Sequence, residues 1–153
     1  MNEKDSTYME IALDEAKKAL LSGDVPVGAI IVYNGEIISR EHNRVEELSD
    51  ATAHAELLAI KDAIKKVGYK HLLDATMYVT LEPCSMCAGA IVLARLKRLV
   101  FAARDQKAGA CSSVFNIVQS SQLNHFVEVT QGVMENESSN MLSTFFKQLR
   151  NKD

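Results

Sequence analysis

Residues 78–94 constrain this chain more than any other stretch. Tyr78-Val79-Thr80-Leu81 is rich in aromatic and β-branched residues and reads as a strand. Pro83-Cys84-Ser85-Met86-Cys87 follows at once, and then the apolar run Ala88-Gly89-Ala90-Ile91-Val92-Leu93-Ala94, which continues as a buried helix. Proline is favoured in the first turn of a helix, where no backbone N–H is needed, so Pro83 marks the switch from strand to helix. The two thiols then stand one turn apart at a helix start, where the positive end of the helix dipole favours the thiolate. Two thiolates at this spacing can share one tetrahedral Zn2+, and they leave two coordination positions to be filled from elsewhere.

Thr52-Ala53-His54-Ala55-Glu56, about thirty residues upstream, supplies the missing donor. His54 with Cys84 and Cys87 makes three ligands. Three protein ligands with the fourth position left to water describe a catalytic zinc site, whereas structural sites use four. Glu56 is not needed as a ligand and stands beside the open position. Each piece alone has a plainer reading: a single histidine in a helix is usually structural, and an isolated C-x-x-C can be a redox pair or two core thiols. The joint occurrence of H-x-E and P-C-x-x-C favours the catalytic site. Cys111 sits among small residues with no partner and reads as a bystander, and His42, His71 and His125 carry no ligand pattern.

The rest of the chain supplies alternating elements. Met9, Ala12, Leu13, Ala16 and Leu20 recur at helical spacing and Gly23 follows as a cap. Residues 27–33 and 36–40 are two strands around Asn34-Gly35, a type I′ hairpin signal, followed by a polar loop over 41–52. A helix is expected over 53–67 with His54 and Glu56 in its first turn, then strands over 76–81, 98–102 and 126–130. Residues 114–118 read as a short helix, and Met141, Leu142, Phe145, Phe146 and Leu149 as a final amphipathic one. The order α-β-β-α-β-α-β-β-α, without that short helix, requires crossover connections, hence a sheet that is at least partly parallel with helices on both faces.

The 153 residues fit one domain, 1–153, with no linker, repeat or low-complexity tract. The N-terminus is charged, no apolar run reaches the about 20 residues that span a bilayer, and 3 cysteines suit a reducing compartment, so a cytoplasmic protein without a membrane partner is expected. A net charge of −3 does not announce a nucleic-acid binder. The basic residues are nonetheless concentrated, in Arg95, Lys97, Arg98, Arg104 and Lys107 and again in Lys147, Arg150 and Lys152. They are either solvated charges or a phosphate-binding patch.

Beyond the zinc motif, the chain resembles the bacterial tRNA-specific adenosine deaminases over nearly its whole length. The resemblance rests on Asp24-Val25-Pro26-Val27-Gly28-Ala29, on residues 51–56, on the block from Met77 to Ala90, on Ala103-Arg104-Asp105 with Lys107 and Gly109, on Asn124-His125 and on Phe145-Phe146. Ala51 stands where the family has proline, and Ser85 replaces an apolar residue between the cysteines; neither is a ligand.

The resemblance implies a cytidine-deaminase-like fold, a three-layer α/β/α sandwich with a five-stranded mixed sheet, one Zn2+ per chain and a homodimer. It implies conversion of the wobble adenosine of a tRNA anticodon stem-loop to inosine, with release of ammonia. Residue by residue, His54, Cys84 and Cys87 match the zinc ligands and Glu56 the proton shuttle. Asn43, Val27, Gly28 and Ala55 match the base pocket, and Asp105 and Lys107 the loop that meets the neighbouring nucleotides. An unpaired anticodon loop makes it cheap to bring a base out of its stack. Because two thiolates cancel the formal charge of Zn2+, the bound water should be less acidic than at a three-histidine site, and the need for Glu56 as a base greater.

Two other functions compete. A deaminase of a free base or nucleoside, such as guanine, cytosine or cytidine, would use the same metal motif, and the negative net charge mildly favours it; residues 103–109 and Phe145-Phe146 favour tRNA. A non-catalytic, zinc-stabilised RNA-binding module would have no use for Glu56.

Overall fold

Hydrophobic alternation along the strands decides which side chain enters which layer. The computed structural model describes residues 2–151. In chain order the elements are α1 (Glu3–Ala19), β1 (Gly28–Tyr33), β2 (Glu36–His42), α2 (Val45–Leu48), α3 (Ala55–Val67), β3 (Thr76–Leu81), α4 (Ser85–Leu93), β4 (Arg98–Ala103), β5 (Glu128–Gln131) and α5 (Glu135–Arg150). The strands form one five-stranded sheet in the order β2-β1-β3-β4-β5. β1 runs antiparallel to β2 and β3, whereas β3, β4 and β5 are parallel, so the sheet is mixed as the element order requires.

Ala29, Ile31, Met77, Val79, Leu99 and Phe101 face one way and pack with Ala59, Ala63, Ala88 and Ile91 of α3 and α4. The intervening Ile30, Val32, Tyr78, Val100 and Ala102 face the other way, against Met9, Ala12 and Leu13 of α1, with Met134 and Met141 at α5 packed beside them. The result is the three-layer sandwich. Asn34 and Gly35 have φ of 51° and 78°, the left-handed pair that a type I′ turn needs, so the hairpin forms where the sequence places it.

Several boundaries differ from the sequence expectation, each for a local reason. The expected loop over 41–52 is partly ordered: β2 continues to His42, and Val45–Leu48 forms one helical turn. Asp24 nucleates that turn by accepting the N–H groups of Glu46 and Glu47, at 2.7 and 3.3 Å. α3 begins at Ala55 and leaves His54 as its N-cap, because the Asn43 side-chain oxygen takes the Ala55 N–H at 2.8 Å. Pro83 likewise lies just outside α4, whose N-cap is Cys84.

The short helix expected over 114–118 does not form. The N–H groups of Val114 and Phe115 turn back to the Gly109 carbonyl and that of Ile117 to the Ala110 carbonyl, and Cys111 makes an isolated bridge with Asn116. β5 starts at Glu128, after Val127 has bonded back to Val118, and α5 extends upstream to Glu135. Among the described residues no helix is long and apolar enough to cross a membrane.

Candidate active site

His54 and Cys84 are N-caps of neighbouring helices, α3 and α4, in extended backbone conformation, and Cys87 lies in the first turn of α4. Both helices pack on the same sheet face, so their positive ends converge beyond the carboxyl end of β3. His54 Nδ1 lies 3.6 Å from Cys84 Sγ and 3.6 Å from Cys87 Sγ. The three ligand atoms fall within 4.8 Å of one another and can hold a metal ion. With metal–sulfur bonds of about 2.3 Å and metal–nitrogen bonds of about 2.0 Å, a tetrahedral edge between sulfur and nitrogen is about 3.5 Å. The donor set therefore fits a tetrahedral thiophilic cation such as Zn2+, in both chemistry and spacing.

The electrostatics of the trio point the same way. Hydrogen bonds from the Cys87 thiol and the His54 ring pull the Cys84 thiol down to about 3. The ionised Cys84 in turn holds the His54 ring above its ordinary value, and with burial it pushes the Cys87 thiol up. A divalent cation at this point would let both sulfurs ionise.

Glu56 sits in the first turn of α3 beside this cluster and is 4% exposed. Burial pushes its carboxyl up to about 7, against the opposing pull of the His54 ring. A carboxyl balanced near neutrality can both accept and return a proton, which is what a shuttle needs.

A cavity of about 270 Å3 opens onto the cluster, lined by Val25, Val27, Asn43, Leu81 and Glu82 together with His54, Glu56 and Cys84, and closed by Asp105, Ala108 and Phe146. The Oδ1 of Asn43, engaged by the Ala55 N–H, fixes that side chain in the wall. A second cavity of about 610 Å3 shares Leu81, Asp105, Ala108 and Phe146 and adds Arg104, Lys107 and Arg150. The small pocket thus continues into a broader groove with three cations along it.

Of the residues singled out from sequence, Val27, Asn43 and Asp105 line the small cavity with His54, Cys84 and Glu56, and Cys87 is buried behind them. Lys107 lines the groove next to it. Ala55 and Gly28 lie behind the wall. Ala55 is buried and holds Asn43, and the Gly28 N–H bonds to the Thr80 hydroxyl at 3.1 Å. Cys111 is buried outside the ligand trio. His42, His71 and His125 do not join it either: His42 lies 3.6 Å from Glu15, His71 meets Tyr69 edge to face, and His125 lies 2.6 Å from the Leu96 carbonyl.

Sequence reasoning missed two buried carboxylates that frame the site, Asp24 and Glu82. The only signal was an acidic residue among apolar neighbours beside a proline or valine turn, as in Leu81-Glu82-Pro83 and Gly23-Asp24-Val25.

Residues 2–150 match the family model described as MafB19-like deaminase. The tRNA-specific adenosine deaminase of Bacillus subtilis (strain 168) is 50% identical over 149 residues, which is 97% of this chain and 92% of that one. The Aquifex aeolicus (strain VF5) protein of the same name is 54% identical over 144 residues, 94% of this chain and 95% of its own. The chain belongs to the tRNA-specific adenosine deaminase family. A structure from a study of A-to-I editing by tRNA:A34 deaminases at the wobble position of transfer RNA superposes on this member of the family with a TM-score of 0.86 at 43% identity. It covers 90% of this chain and 99% of the other. The guanine deaminase of Nitrosomonas europaea, 22% identical, shares the fold with a TM-score of 0.75 over 92% of this chain and 83% of that one.

In this deaminase-family chain the basic residues divide into different environments. Arg98 is tied to Asp5 by two hydrogen bonds of 2.8 and 2.7 Å and to the Thr130 hydroxyl, so it is a structural residue of the sheet. Arg95 and Lys97 precede β4, at the end of that strand remote from Ala103 and the cavity. Arg104, Lys107 and Arg150 are the ones that flank the site, while Lys152 lies outside the described residues.

Proposed function

We propose that this protein hydrolyses the wobble adenosine of a tRNA anticodon loop to inosine, releasing ammonia, with one Zn2+ held by His54, Cys84 and Cys87. The observation that carries the reading is the buried carboxyl of Glu56 beside three converging metal donors, in a pocket that opens into a cation-lined groove. Zinc bound there would supply the Lewis acidity that makes the attacking water a nucleophile near neutral pH. Glu56 receives the first proton that the water gives up and passes it to the ring nitrogen next to the carbon under attack; it then takes the second proton from the hydroxyl now on that carbon, which becomes the carbonyl, and delivers it to the departing amine. Water and adenosine thus become inosine and ammonia with no proton left over. Asn43 and Val27 hold the flipped base, while Arg104, Lys107 and Arg150 are placed to neutralise the phosphates of the adjoining nucleotides.

The same reading takes residues 1–153 as one deaminase domain working in the cytoplasm as a homodimer. Support for a second copy comes from exposed apolar side chains: Leu93 of α4 is 78% exposed, and Leu48, Tyr69 and Leu73 are exposed too.

The deciding experiment incubates purified protein with a transcribed anticodon stem-loop and, separately, with free adenosine, guanine and cytosine, measuring ammonia. Release from the stem-loop alone is expected. Release from a free base with none from RNA would replace this reading by that of a free-base deaminase.

A further inference from the structure

Glu82 is 2% exposed, among the described residues no cation is bonded to it, and five hydrogen-bond donors from a single loop converge on its carboxylate. Oε1 accepts the Asp105 N–H at 3.0 Å and the Ser113 hydroxyl at 2.5 Å. Oε2 accepts the N–H groups of Cys111, Ser112 and Ser113 at 3.0, 3.0 and 2.9 Å. Gly109 passes so close over the carboxylate that a Cβ there would overlap it. On the other side, Glu82 adjoins Pro83-Cys84, and the Pro83 carbonyl accepts the Ala110 N–H at 2.8 Å. Asp105 in turn accepts the N–H groups of Lys107 and Ala108, both at 3.1 Å, which shapes the tip of the same loop.

From this arrangement we infer that Glu82 is a positioning residue for substrate recognition: its carboxylate locks residues 105–113 to the cysteine-bearing turn, fixing Asp105, Lys107 and Ala108 as the wall shared by the pocket and the groove. The inference rests on the proposed RNA substrate, because Asp105 and Ala108 line the groove that the adjoining nucleotides would enter as well as the pocket, and Lys107 lines the groove alone. A carboxylate suits the task since it only accepts, and all five groups facing it donate. An amide in its place turns one oxygen into a donor aimed at other donors, which releases part of the loop while leaving His54, Cys84, Cys87 and Glu56 intact.

The test is E82Q, compared with wild type for zinc content, steady-state kinetics on the stem-loop and amide hydrogen exchange. Zinc should stay at the wild-type level. KM for the stem-loop should rise about tenfold or more, with kcat held within about threefold. The amides of Asp105, Cys111, Ser112 and Ser113 should exchange about tenfold or more faster, while those of α4 keep their protection. A KM within about twofold of wild type, or unchanged exchange in the loop, overturns the inference. If E82Q loses zinc or fails to fold, G109A and S113A take its place, since they disturb the same bonds without altering the carboxylate; unchanged KM in both overturns it equally. A wild-type protein inert on the stem-loop would instead defeat the substrate reading, and this inference with it.

Discussion

His54 Nδ1 lies 3.6 Å from Cys84 Sγ although the two residues are thirty positions apart, and each is the N-cap of its own helix. An N-cap side chain usually turns back to take a backbone N–H of its own helix, and here neither does. Both are directed outward, into the space where two helix dipoles meet. Replacing Cys84 with alanine should therefore remove the metal rather than unfold the helix. Elemental analysis is expected to find well under one zinc per chain, with the far-ultraviolet circular dichroism unchanged; full occupancy would dismiss the ligand assignment.

Glu56 separates metal binding from chemistry. The Glu56→Ala variant should keep its zinc and lose kcat by at least about 10²–10⁴-fold, the range for a general acid–base group. The loss should fall at the upper end because one carboxyl serves several proton transfers. Turnover close to wild type would remove Glu56 from the mechanism.

Three cations border the groove, and an anticodon loop presents single-stranded phosphates to them. If each neutralises one phosphate, log affinity should fall against log salt with a slope of about −2, and binding should weaken about 10- to 20-fold between 50 and 200 mM. Arg150→Ala should make that slope shallower by about 0.7. Filter binding of a labelled stem-loop measures both quantities, and a flat salt response would point away from RNA.

What the sequence disclosed and what it hid follow from the range of the interactions involved. The hairpin at Asn34-Gly35 and the C-x-x-C turn are written in adjacent residues, and both are found where they were expected. The loop over 105–113 is shaped by Glu82, 23 to 31 positions earlier, and Val114, Phe115 and Ile117 bond back to Gly109 and Ala110 within it, so the local helix signal at 114–118 was false. The basic run from Arg95 to Lys107 looked like one patch because its members are neighbours in sequence. In the fold Arg98 is claimed by Asp5, 93 positions away, and the groove instead recruits Arg150 from the last helix.

The Asp5–Arg98 pair also sets an acid limit on stability. Its hydrogen bonds from Arg98 hold the Asp5 carboxyl below the ordinary carboxylate range, against the opposing effect of burial and with further help from the Tyr78 hydroxyl. Because the folded value is the lower one, the pair's full contribution is present above the unfolded value of about 3.9 and is lost as pH falls through the folded value. Asp5→Asn should cost about 1.5–3 kcal/mol at pH 7, since it takes from Arg98, itself only 20% exposed, its two charge-assisted bonds and leaves it the Thr130 hydroxyl and the more distant, exposed Glu128. Melting temperatures from pH 7 to pH 3 should show the wild type losing its advantage over the variant below about pH 4. Parallel curves would mean that the ion pair contributes nothing to folding.

Gly28 supplies the last prediction, one that separates packing from pocket. In sequence it looked like part of the base pocket, yet its Cα faces α1: a Cβ there would overlap the Ala12 carbonyl oxygen and crowd the Ala16 nitrogen, both backbone atoms. Neither can move unless α1 lifts from the sheet, so Gly28→Ala should destabilise the fold by the about 1–3 kcal/mol of an overpacked core, or more. Its N–H bonds to the Thr80 hydroxyl, and both residues stand behind the cavity wall rather than in it. Below its lowered melting temperature the variant should therefore keep a KM for the stem-loop near the wild-type value. A thermal melt and a kinetic run on the same sample decide the matter: a raised KM with an unshifted melting temperature would return Gly28 to the pocket.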